Sequence, residues 1–272
     1  MSALDHASSC IHLVVALRDG ELQRDGTSGL VQVLCFDGAL TEDEMRAYVS
    51  QRMIGRTGPG STRLLACLVT EYAGYDAQFA EQLIALDDAE ILALPESLSA
   101  QLANDSMRWT RDSWREGTRM TIQGRSLIHP LREWYLANHH GPRQKEMRTA
   151  ASKRYWRACV HALMPWLEER RLAVLQKLRQ PLEALAAKTG GKICRKLQSG
   201  ETLEYEIDEL EYNNVVGLAR LEIDPLIVPV HAQSVLAVCR AAKAVRDDLA
   251  HLRKPDTAKI AGLIAAMDAI LP

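Results

Sequence analysis

Between Lys153 and about Lys188, apolar residues recur every three or four positions: Trp156, Val160, Leu163 and Leu167, then Val174, Leu178, Leu182 and Leu185. That spacing draws one stripe along a helix, and Glu168-Glu169-Arg170-Arg171 lies off it. A stripe of this length cannot be buried by its own helix, so other helices must cover it. Pro165 and Pro181 are expected to kink or restart the helix, and Gly190-Gly191 to end it. The partners are legible downstream. A helix is expected over Tyr205 to Leu221, burying Leu210, Val215, Leu218 and Leu221. Ile223 to Val230, with Pro225 and Pro229, is a connector. Val235, Cys239, Ala242, Val245, Leu249 and Leu252 mark a second amphipathic helix, ended by Pro255. Ile260, Leu263, Ile264, Met267, Ile270 and Leu271 mark the last, with Asp256 or Thr257 as its cap. Four helices with short connections predict an antiparallel bundle.

The first half is more mixed. His12 to Leu17 and Gly29 to Phe36 are short, Val- and Leu-rich stretches that predict two strands. Thr41-Glu42-Asp43-Glu44 is a capping box opening a helix that runs through about Met53. Gly55 to Thr62 is Gly-rich and opens a helix, but it lacks the Lys that a phosphate-binding loop places after its last Gly. It is read as a turn, with Ser61 or Thr62 as cap. Further helices are expected through Leu64 to Tyr72, after Asp76, and after Asp87-Asp88, whose carboxylates suit a helix N-terminus better than a metal. Met120 to Ile122 and Ser126 to Ile128 flank Gln123-Gly124-Arg125 as a hairpin. Trp109, Trp114 and Trp134 lie nearby and are read as packing residues. The polar, turn-forming run Asn138-His139-His140-Gly141-Pro142-Arg143 carries no Asp, Glu or Cys at ligand spacing and is read as a loop. The domain boundary is placed there. The expected fold is mainly α: a smaller α+β region over 1–142 and a helical bundle over 143–272.

A net charge of −2 gives no global attraction to nucleic acid, so any such contact must be local. The Lys192 to Lys196 cluster is small and is read as a solvated loop. The six cysteines (Cys10, Cys35, Cys67, Cys159, Cys194 and Cys239) form no CxxC pair, and several fall on apolar stripes. They read as reduced thiols of a cytoplasmic protein. No run reaches the length of a membrane span, and the first residues lack the pattern of a secretory signal. No bound cofactor and no metal are expected.

The functional expectation rests on Arg246-Asp247-Asp248-Leu249-Ala250-His251. Asp247 and His251 are four apart, so the carboxylate can hydrogen-bond the imidazole and help it hold a proton. Arg246 and His251 are separated by roughly 140° around an ideal helix and do not share a face. A site that uses both therefore calls for a second copy of the helix across a two-fold axis. Arg132–His139 and Arg154–His161 show comparable spacings. The polar residue after Arg246, the Ala before His251, and the place in the penultimate helix single out this pair.

This segment resembles the signature of the HEPN superfamily (higher eukaryotes and prokaryotes nucleotide-binding). Its helical bundles carry an Arg, four to six residues, and a His, commonly with Asn or Asp after the Arg. The resemblance covers about Arg143 to Pro272. It implies a homodimeric, metal-independent endoribonuclease, a toxin or defence effector, acting on RNA. Arg246 would stabilise charge on the phosphate, His251 would move protons, and Asp247 would support the His. Some members carry a Tyr shortly after the His that a partner enzyme modifies; here Leu252-Arg253 follow. The alternative is a non-catalytic module docking a regulatory partner protein, such as an ATPase of a conflict system. There Arg246 would lie over the core edge and His251 would pair with Asp247 in water.

Overall fold

The computed structural model describes residues 40–56, 59–94, 98, 118–122, 125–138, 142–196, 199–222 and 224–271. The strands expected at His12–Leu17 and Gly29–Phe36, Cys10, Cys35, Trp109, Trp114 and the His139-His140 pair lie outside them. The chain is mainly helical, with two small antiparallel hairpins.

Helix α1 (Glu42–Arg52) opens on the expected box: the Thr41 hydroxyl accepts the Glu44 N–H at 3.3 Å, and Glu44 Oε2 accepts the Thr41 N–H at 2.8 Å. Helix α2 (Pro59–Ala73) starts on a proline, whose missing N–H is no loss at a first helical position. Ser61 and Thr62 therefore lie inside α2, past its first residues. Helix α3 (Ala77–Ile84) is capped by Asp76, and α4 (Asp88–Leu92) by an Asp87–Glu90 box. Strands β1 (Arg119–Ile122) and β2 (Arg125–Ile128) pair with Ile122 opposite Arg125, the hairpin expected. Helix α5 (Pro130–Asn138) follows directly; the sequence reading had no helix there.

The dominant element is α6 (Gln144–Lys177), 34 residues and about 50 Å long at 1.5 Å per residue. Pro165 lies inside it without ending it. Its ring is on the exposed side, so the carbonyl it deprives of a donor can turn to water, while Leu163, Trp166 and Leu167 stay buried around it. The break comes at Leu178, and Pro181 sits in the first turn of α7 (Arg179–Ala187). Gly190 and Gly191 then carry positive φ, and the Gly191 N–H closes back on the Ala186 carbonyl at 2.9 Å.

The basic Lys192–Lys196 segment is a strand, not a loop. Strand β3 (Ile193–Lys196) pairs with β4 (Thr202–Tyr205), with Ile193 buried and Lys192 3.4 Å from Glu204. This hairpin shortens the helix expected at 205–221 to α8 (Tyr212–Leu218). The backbone N–H groups of Glu206 and Glu211 are taken by Glu209 and Asn214, so two separate helical starts replace one. Leu210, Val215 and Leu218 are buried as expected.

Helix α9 (Gln233–Ala250) buries Val235, Cys239, Ala242, Val245 and Leu249, and α10 (Thr257–Ile270) buries Ile260, Leu263, Ile264 and Met267 under an Asp256 cap. Helices α2, α5 and α9 pack along α6, and α8 and α10 pack on α9. One apolar cluster runs from Met45 through α6 to Met267, so it crosses position 142. Cys159 and Cys239 are buried and unbridged, and burial pushes both thiols up to about 12. Among the described residues no helix is long and apolar enough to cross a membrane.

Candidate functional site

The Arg–His segment occupies the end of α9. The helix stops at Ala250, short of Pro255. His251 is the C-cap, and its N–H still reaches the Asp247 carbonyl at 3.1 Å. Leu252 then takes a left-handed φ of 56°. The Leu252 N–H bonds the Leu249 carbonyl at 3.2 Å and the Arg253 N–H bonds the Asp248 carbonyl at 2.8 Å. That is a Schellman closure with leucine where glycine is usual. Leu252 is 72% exposed, so the buried stripe ends at Leu249, one step earlier than the periodicity suggested. The reversal lets buried Pro255 seat the connection to α10.

Each residue of the motif has a distinct environment. Arg246 is partly buried, and its Nη1 donates to Glu211 Oε2 at 2.9 Å. Glu211 is the N-cap residue of α8, so this ion pair ties the start of α8 to the last turns of α9. The Asp247 carboxylate is paired with Lys243, one turn back, and among the described residues makes no hydrogen bond with the His251 ring. The Lys243 ammonium takes the place expected for the imidazole. Asp248 receives Arg253 at 3.1 Å and Lys259 at 3.5 Å. His251 is exposed, and among the described residues no side chain bonds its ring.

The competing spacings fare differently. Arg154 gives a two-pronged contact to Glu133 at 2.7 and 3.0 Å and a third bond to the Glu71 carbonyl at 2.9 Å, so it is committed to joining α5, α2 and α6. Arg132 donates to Thr118, and His139 lies outside the described residues. Arg246–His251 thus combines a surface cation with an accessible imidazole.

Two histidine sites were missed by the sequence reading. His129 is buried; its Nδ1 accepts the Leu131 N–H at 3.2 Å, which leaves Nε2 to donate to Asp76 Oδ2 at 3.2 Å. Tyr75 and Phe79 pack on its ring. That bond is the main reason the Asp76 carboxyl is held below the usual range. With both nitrogens used, His129 is a structural residue. The second cluster lies where α1, α2 and α6 meet. Glu42, Glu71 and His161 bring one ligand atom each to within 4.8 Å of one another. Glu71 is buried and paired with Arg157. Burial raises its carboxyl against the pull of Arg157, while burial and then Arg46 lower His161. The three positions are scattered over the chain, so no motif announces them. The one local clue is an ionisable residue in the apolar run Leu68-Val69-Thr70-Glu71-Tyr72.

No family model matches the chain, and neither a curated protein nor a solved structure matches it.

Proposed function

We propose that residues 143–272 form a HEPN-like bundle that works as a metal-independent endoribonuclease in a homodimer, as a toxin or defence effector. The observation that supports this reading best is the state of His251: an exposed imidazole with no side-chain partner among the described residues, at the end of α9, following a guanidinium seated on a carboxylate. A carboxylate seat is the kind of place a phosphate can take over, because both anions match the guanidinium fork.

In this reading the ribose 2′-oxygen attacks the adjacent phosphorus and the 5′-oxygen leaves, giving a cyclic phosphate. The 2′-hydroxyl proton passes to a base and a proton is returned to the 5′-oxygen. His251 carries one of these protons, and a second copy across the two-fold axis supplies another. Arg246 moves from Glu211 to the phosphate oxygens as negative charge builds on them. Asp247 holds Lys243 beside the site. The test is cleavage of a mixed RNA pool by the purified protein in the presence of a chelator. His251→Ala is expected to abolish cleavage and leave the dimer intact. Intact RNA with the wild-type protein, or a monomer at working concentration, would overturn the reading.

One observation favours a second reading. Arg246 and Asp247 are both already neutralised within the chain, by Glu211 and Lys243. That suits a non-catalytic module that docks a regulatory protein, for example an ATPase of a conflict system. Partner binding that survives His251→Ala, with every RNA untouched, would support it.

A further inference from the structure

We propose that Glu42, Glu71 and His161 form a binding site for a zinc-type divalent cation that pins α1 onto α2 and α6. The site does not depend on the ribonuclease reading. The donors come from three helices and approach within 4.8 Å of one another. Glu71 sits on α2 and is 5% exposed. Its Oε1 accepts both Arg157 bonds, at 3.1 Å from Nε and 2.9 Å from Nη2. Its Oε2 also lies 2.9 Å from Nη2, but no donor hydrogen points along that line, so this oxygen is buried without a hydrogen bond. A buried carboxylate oxygen with no donor is an uncommon state, and a cation satisfies it directly.

The other two donors are mobile enough to close the site. Glu42 and His161 are both exposed, so ordinary side-chain rotation can bring the ligand atoms to the separation of about 3.4 Å that metal–ligand distances near 2.1 Å require. One nitrogen and two carboxylate oxygens suit zinc better than magnesium or calcium, which prefer oxygen alone. Three protein ligands leave a fourth position for water. Cys67, one turn before Glu71, lines the same crevice but is not one of the three donors that lie within 4.8 Å of one another.

The cost comes from two guanidiniums. Arg46 is 2.7 Å from Glu42, and Arg157 is 3.6 Å from Glu42 as well as bonded to Glu71. Arg157 is exposed and Arg46 partly so, and both can turn to water as the cation enters. They lower affinity without blocking the site.

Titration of the full-length protein with zinc chloride by calorimetry, and with Co²⁺ by visible absorption, tests this. One site per chain is expected. His161→Ala and Glu42→Gln change exposed side chains and leave the fold intact; each is expected to weaken binding at least about tenfold, the lower bound for disturbing a metal shell. Arg46→Gln is expected to tighten it. No binding by the wild-type protein, or equal affinity in His161→Ala and Glu42→Gln, overturns the proposal.

Discussion

The indole N–H of Trp156, on α6, donates to the carbonyl oxygen of Leu249, in the last turn of α9, at 2.8 Å. A helix end leaves its last carbonyls without intrahelical donors, and this bond supplies one from the long central helix. It lies two residues before His251. Trp156, on the apolar stripe of α6, thus also helps to set the position of the Arg–His segment.

Trp156→Phe keeps most of the packing and removes that donor. The expected loss is about 1 kcal/mol, or about 2–4 °C in Tm for a chain of this size. Amide exchange at Leu252 and Arg253 should speed up, because their bonds to Leu249 and Asp248 close the same turn. Unchanged exchange there would show that the Schellman closure stands without the indole.

Leu252→Gly should stabilise the protein by about 0.5–1 kcal/mol. A left-handed φ costs an L-residue about 1–2 kcal/mol, and the greater freedom of glycine in the unfolded chain returns part of that. The leucine side chain is too exposed to be missed from the core. Urea unfolding measures the change. A destabilised variant would mean that the leucine is held by contacts outside the described chain.

Glu133→Gln leaves Arg154 with its charge partner removed at a largely buried site, where the side chains are 20% and 10% exposed. A loss of about 3 kcal/mol is expected. Arg154→Met combined with Glu133→Leu should recover much of it, since apolar replacements need no partner. Chemical unfolding of the single and double variants gives the coupling directly. Additive losses would argue against a paired interaction.

Stability should also fall with acid through Asp76. The hydrogen bond from His129 is the largest cause holding its carboxyl down, with the N-cap bond from Phe79 adding to it. A lowered folded-state value means the unfolded chain binds the proton more readily. The contribution is therefore present above the ordinary carboxylate range and is lost as pH falls through it, from about pH 5 downward. Asp76→Asn retains a side chain able to cap α3 but cannot titrate. Its unfolding free energy should decline less steeply than that of the wild type between about pH 5 and pH 3. Parallel slopes would place the acid sensitivity elsewhere.

Much of the helical framework was legible because its signals are local. The Thr41, Asp76, Asp87 and Asp256 caps, the apolar stripes of α6, α9 and α10, and the stop at Gly190-Gly191 all depend on neighbours within a turn or two. Errors arose where pairing across the chain overrode such signals. Lys192 to Lys196 looked like a loop because its strand character depends on pairing with Thr202 to Tyr205, whose last residue was read as the start of a helix. Pro165 looked like a break because the sequence does not say which side of α6 faces water.

At the candidate site, sequence alone determined which residues carry chemistry and their order along α9: a guanidinium, two carboxylates and an imidazole within six positions. Tertiary structure decided what each one faces. It gave Arg246 to Glu211, left His251 in solvent just before a left-handed leucine, and gathered Glu42, Glu71 and His161 from three helices. The physical reason is range. Capping and periodicity act over one turn of backbone, whereas ion pairs and ligand sets depend on side chains that meet only after the helices have packed.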